Sequence, residues 1–148
     1  MGWRPTMGRQ PVMIMLPTEQ FEALVEQALA GLPPYFQEKM SNVAVLVQVW
    51  PTRSDLVRAG VPAGHTLLGL YTGIPLTVRN QGYNLVAPDT ITLFQGPIEA
   101  AALAMVLPGD EAGDGLARIE RQVRRTVLHE LAHHFGISDE RLRELGAY

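Results

Sequence analysis

The string His129-Glu130-Leu131-Ala132-His133-His134-Phe135-Gly136-Ile137-Ser138-Asp139 limits what this chain can fold into more than any other stretch. As a pattern it is H-E-x-x-H followed by x-x-G-x-x-D. Side chains four residues apart lie one above the other only on an α-helix. If His129 and His133 are to address one ion, this stretch has to be helical. Advancing ~100° per residue from Leu116, Ile119, Val123, Val127 and Leu131 form one apolar arc, while Gln122, Thr126, His129 and His133 form a separate polar stripe. The spacing predicts a long helix from about Asp114, its cap, to Phe135, with Gly136 as a left-handed stop. Such a helix packs on one side and presents imidazoles on another.

Cysteine is absent, which excludes disulfides, thiolate zinc sites, iron-sulfur clusters and cysteine nucleophiles. A metal site here must use His, Asp or Glu. His129 and His133 are the candidate ligands, and the residue types suit Zn2+. Gly136 lets the chain turn so that Asp139 can swing back as a third, oxygen ligand; its competing role is to cap or charge-stabilise the last helix. Three protein ligands leave the fourth zinc position to water, and Glu130, beside the first histidine, is placed to act as its general base. Peptide-bond hydrolysis is the expected reaction class, with the proton passing through Glu130 to the leaving amine. His134 falls on the apolar arc and is expected to be a core histidine. Tyr148, Tyr83, His65 and Arg79 are candidate oxyanion donors.

The chain has 148 residues, 47% hydrophobic and 18% charged, which suits one domain over 1–148 with a loosely ordered lead-in at 1–10. Phe21, Leu24, Val25, Ala28 and Leu29 predict a helix capped by Thr18 and ended by Gly31. Pro33 and Pro34 open a short helical segment to Met40. Val43 to Trp50 is an almost unbroken apolar run, expected to be a central strand buried on both faces. A short helix capped by Ser54 and a strand from Thr66 to Thr72 follow. Ile74 to Val86 reads as a loop or irregular hairpin. Thr90 to Gln95 is an alternating strand closed by Gly96 and Pro97. Ile98 to Val106 reads as an Ala-rich helix, and Ser138 or Asp139 starts a last one to Leu145.

From about Val12 to Tyr148 the chain resembles the minimal zincin-like metallopeptidase family of small bacterial proteins. The resemblance is carried by Gly73-Ile74-Pro75-Leu76-Thr77, by Thr90 through Glu99, by Val127 through Gly136, and by Leu145-Gly146-Ala147-Tyr148, in that order. It implies an α+β, zincin-like fold: a small mixed sheet packed against a long active-site helix, with additional short helices. It also implies zinc ligation by His129, His133 and Asp139 and a catalytic Glu130. The longer motif is similar to that of the metzincins, but no Met follows Met105, so the floor beneath the metal falls to residues such as Leu142 and Leu145. In zincins an antiparallel edge strand above the metal pairs with extended substrate. Thr90, Ile91, Thr92, Leu93 and Phe94 are the residues expected to serve in that way.

The function expected is that of a zinc-dependent metallopeptidase of narrow specificity, acting on a peptide or protein substrate. The competing expectation is a metal-binding scaffold or sensor that does not cut; an intact Glu130 favours the enzyme. Arg118, Arg121, Arg124 and Arg125 raise nucleic-acid binding as a third class. They read instead as a solvated helix face paired with acids such as Glu120 or Asp114. With 12 basic against 15 acidic side chains, a net charge of −3, no global field favours nucleic acid or an anionic membrane. The apolar run from Val12 to Leu16 is too short for a signal peptide or a membrane span, and a cytoplasmic protein is expected.

Overall fold

Phe21, Leu24, Val25 and Ala28 share one face of the first helix, α1 (Thr18–Ala30), and all four are buried. Their three- and four-residue spacing is the reason this segment is a helix that packs. In the computed structural model, residues 15–73, 89–105, 107–111 and 113–146 are described. The expected lead-in at 1–10 and the loop expected at Ile74–Val86 lie outside them. After α1 come α2 (Pro34–Lys39), a 3-10 turn (Met40–Asn42), strand β1 (Val43–Gln48), α3 (Arg53–Arg58), β2 (Gly69–Thr72) and β3 (Asp89–Phe94). Then follow α4 (Gln95–Ala104), the long α5 (Gly115–Phe135) and α6 (Asp139–Glu144).

The architecture is α+β: among the described residues, a three-stranded mixed sheet ordered β1-β3-β2, with β3 parallel to β1 and antiparallel to β2. Helix α5 carries the expected apolar arc. Ile119, Val123, Val127 and Leu131 are all buried, in a core shared with Phe21 and Ala28 of α1, Ile98 and Ala102 of α4, and Ile91 and Leu93 of β3. Leu142 is buried in the same cluster and ties α6 down, with Leu145 packed beside it. Among the described residues no helix is long and apolar enough to cross a membrane.

The order of the strands corrects two expectations. Among the described residues β1 is an edge strand, and Leu46, Val49 and Trp50 are 51%, 41% and 55% exposed rather than buried on both faces. The register explains why. Val45 and Val47 stand beside Ile91 and Leu93 and face the core, while Leu46 stands beside Thr92 on the opposite face. The strand therefore alternates as a half-buried strand does, but its apolar outer residues hide the period. β3 is central instead.

Helix starts also differ in detail. Thr52, not Ser54, caps α3: its hydroxyl accepts the Asp55 N–H at 3.0 Å, and the Asp55 carboxylate accepts the Thr52 N–H at 2.8 Å. This is a reciprocal capping box. α1 begins after Pro17 without a side-chain cap from Thr18, and Asp114 precedes α5 with its carboxylate on the Glu111 N–H at 2.9 Å instead of on the helix. α4 starts at Gln95, three residues before the expected Ile98, because Pro97 is tolerated in a first turn. Gly96 there lies beneath the Trp50 ring, where an added Cβ would meet ring atoms at 2.6 to 2.7 Å.

Candidate functional site

Helix α5 sets His129 and His133 on one exposed face, one turn apart. Their ring centroids are 5.9 Å apart and the rings lie 19° from parallel. Neither imidazole is in a hydrogen bond among the described residues. Glu130, the next residue round the helix, turns toward the sheet and is half-buried. Gly136 closes the helix in the left-handed conformation, φ 69° and ψ 30°, as expected of a residue without Cβ. The chain then enters α6, whose cap is Ser138: its hydroxyl accepts the Arg141 N–H at 3.1 Å. Asp139 is thereby relieved of the capping role and sits exposed on the first turn of α6.

The neighbour of Glu130 is strand β2. The Phe94 N–H donates to the Leu68 carbonyl at 2.9 Å, which sets the phase of the antiparallel ladder. Leu70 and Thr72 then face β3, while Gly69 and Tyr71 turn their main-chain groups away from it. The Tyr71 N–H meets Glu130 Oε1 at 3.1 Å. Burial raises the Glu130 carboxyl above the ordinary glutamate range, against the lowering effect of the Tyr71 N–H and of the charges of His129 and His133. A carboxylate held in this way is prepared to take up a proton.

Three adjoining hollows share His129 in their walls. One is lined by Gly69, Tyr71, Glu130, His133 and His134. Another runs past Thr66, Gln122, Arg125 and Thr126. The third contains Asp139. Among the described residues no three His, Asp or Glu side chains converge as a ready-made metal cage. The donor types nevertheless fit zinc: two unbonded imidazoles and, on the wall of a cavity that one of them shares, a carboxylate.

Several expectations are corrected here. Thr90, Ile91, Thr92, Leu93 and Phe94 cannot accept a substrate strand at an edge, because both sides of β3 are already paired with β1 and β2. Among the described residues the strand edge beside Glu130 is that of β2. His134 is not a core histidine: it is exposed and stacks on the Tyr71 ring, with centroids 3.9 Å apart. It occupies the last turn of α5, where its ring reaches β2. Thr126, expected on the polar stripe, is buried, its hydroxyl donating to the Gln122 carbonyl at 2.8 Å. Glu99 is no candidate for a third ligand, being buried and accepting from Gln95 Nε2 at 2.8 Å and from the Leu16 N–H. His65 is exposed on the loop before β2, and Arg79, Tyr83 and Tyr148 lie outside the described residues.

The role of β2 escapes sequence reasoning because it rests on a main-chain N–H, which any residue but proline carries. One signal does exist. A glycine inside a strand pattern marks a close backbone approach, and an added Cβ on Gly69 would lie 2.8 Å from Thr126 Cγ2 and 3.5 Å from Glu130 Cγ.

A family model described as zincin-like metallopeptidase matches residues 40–147. The chain is also similar to the solved structure of a conserved hypothetical protein from Thermo thermophilus. The two are 23% identical, the match covers 81% of this chain and 94% of that one, and the TM-score is 0.44. No functionally curated protein matches the chain.

Proposed function

The chain belongs to the zincin-like metallopeptidase family, and from that membership we propose that it is a zinc-dependent peptidase using Glu130 as its general base. The observation that carries the reading is the position of Glu130. It is half-buried under the edge of β2, with Oε1 tied to the Tyr71 N–H, in a hollow it shares with His129 and His133. His129 and His133 hold the ion, and Asp139 is the third donor. Zinc, when bound, supplies a Lewis acid that polarises the scissile carbonyl and acidifies the attacking water.

The rest falls to the chain's own residues. The bond to Tyr71 fixes the Glu130 carboxylate and leaves Oε2 to take the proton as water adds to the carbonyl carbon. Glu130 then returns that proton to the amine nitrogen as the C–N bond breaks. The outward main-chain groups of Gly69 suit an extended peptide laid antiparallel along β2.

The test is Glu130→Gln. The amide still accepts the Tyr71 N–H but cannot carry the proton. Zinc content measured by mass spectrometry of the purified protein should be unchanged, while peptide hydrolysis falls by at least about 10²- to 10⁴-fold. Undiminished turnover refutes the mechanism. Zinc bound without cleavage of any peptide in a broad library, even by the unmodified chain, refutes the enzyme and leaves the scaffold.

A further inference from the structure

Positive charge collects on one flank of the candidate site, and the proposed chemistry does not use it. Arg121, Arg124 and Arg125 of α5 and Arg143 of α6 line a hollow of about 820 Å³ whose wall also contains His129 and Asp139. Among the described residues that line it, Asp139 is the one carboxylate, in a chain whose net charge is −3. The expected pairing with acids neutralises only part of this. Arg121 donates to both oxygens of Asp110, at 3.1 and 3.0 Å. Arg124 stands 3.8 Å from Glu120, beyond hydrogen-bond length. Arg143 makes no ion pair among the described residues.

Helix geometry places this charge relative to the chemistry. Arg125 and Arg121 precede His129 by one and two turns, about 6 and 12 Å along the axis at ~1.5 Å per residue. An extended peptide advances ~3.3 Å per residue. A substrate centred on His129 and running toward this flank reaches Arg125 and its neighbour Arg124 after about two residues and Arg121 after about four.

We propose that the arginine hollow is a subsite for a carboxylate of the substrate peptide, either an acidic side chain or a free C-terminus, about two residues from the bond that is cut. Guanidinium groups pair with carboxylates through two parallel hydrogen bonds, which confers direction as well as charge. A concave pocket with Asp139 in its wall suits a single carboxylate better than a run of phosphates. The inference takes its substrate class from the peptidase reading, but its test is binding and does not require cleavage.

The test uses the full chain carrying Glu130→Gln, with zinc added, and three fluorescent pentapeptides: one amidated with Glu, one amidated with Gln in its place, and the Gln peptide with a free C-terminal carboxylate. Anisotropy titrations should show one carboxylate peptide binding at least about tenfold tighter than the neutral one, about 1.4 kcal/mol, and which of the two does so identifies the source. Replacing Arg124 and Arg143 together by Gln should erase the ratio, and Arg143→Glu should turn the preference toward a Lys peptide. Equal binding of all three peptides, or a ratio that the arginine replacements leave in place, overturns the proposal. So does tighter binding of a ten-nucleotide oligothymidylate that the same replacements abolish, since the hollow would then be a polyanion site. If the ratio holds but the unmodified chain cuts none of these peptides or any other, the peptidase reading fails and the carboxylate subsite stands. If the unmodified chain cuts peptides but no ratio is seen, the subsite fails and the peptidase reading stands.

Discussion

Replacing Gly69 by Ala tests whether the approach of β2 to α5 is what holds the candidate site together. The added Cβ would lie 2.8 Å from Thr126 Cγ2, 3.4 Å from the Thr92 carbonyl oxygen and 3.5 Å from Glu130 Cγ. Carbon atoms rest at roughly 3.5–4.0 Å, so the first contact is short by ~0.7 Å or more. Thr126 cannot simply rotate away. It is buried and β-branched, and its hydroxyl is committed to the Gln122 carbonyl at 2.8 Å. The strand and helix must therefore separate, at the cost of an overpacked core, about 1–3 kcal/mol. For a chain of this length roughly 3 °C is lost per kcal/mol, so the melting midpoint followed by circular dichroism should fall by ~3–9 °C. The Tyr71 N–H to Glu130 contact, 3.1 Å, lengthens with it. Thr126→Ser removes the offending methyl but keeps the hydroxyl. Alone it costs about 0.5–1.5 kcal/mol for a lost buried methyl; combined with Gly69→Ala it should restore most of the midpoint, a coupling of about 1 kcal/mol or more. An unchanged midpoint in Gly69→Ala, or strictly additive losses in the double variant, would refute the steric argument.

Two further outcomes follow from the geometry. Asp139→Asn should weaken zinc binding at least about tenfold, about 1.4 kcal/mol, in competition with a chromophoric chelator; Ser138→Ala should loosen α6 and leave zinc affinity alone, because the cap belongs to Ser138. Asp110 accepts from Arg121 and from the Leu107 N–H, and these bonds hold its carboxyl down at about 2. With an unfolded value of about 3.9, its contribution to stability is present above that pH and is lost as pH falls toward and through about 2. Acid titration of the melting midpoint should therefore show a smaller drop over this window in Asp110→Asn than in the unmodified chain.

What can be read in the chain alone is what has a period. The apolar arc Ile119, Val123, Val127 and Leu131 is the buried face of α5, and Gly136 ends that helix at φ 69°. Both follow from local rules, namely 3.6 residues per turn and the freedom of glycine at positive φ. Strand order does not follow from local rules. Val43-Ala44-Val45-Leu46-Val47 reads as a central strand because its outer face is apolar too, while Asp89 to Phe94 carries threonines on one face and is central all the same. Alternation reports which face meets the core; it is silent on whether a strand's two edges are paired. Placing the substrate edge on Thr90–Phe94 is an error of that silence. His134 misleads for a related reason: a helical wheel treats all turns alike, whereas the last turn of α5 brings this ring onto Tyr71.

The same distinction explains which parts of the site are set by one helix and which need the whole fold. His129, Glu130 and His133 all lie within little more than one turn of α5, so their relative placement survives any rearrangement that leaves the helix intact. Asp139 depends on two further devices: the left-handed turn at Gly136 and the anchoring of α6 by Leu142, which is fully buried. Because Ser138 already satisfies the helix start, Asp139 is not tied down by a cap bond, and its placement follows that of α6. Loss of the buried Leu142 side chain costs about 2–5 kcal/mol and acts on α6, not on the pair of histidines. The candidate site is therefore divided between a two-imidazole half carried by α5 and a carboxylate half whose position is governed by the packing of the last helix.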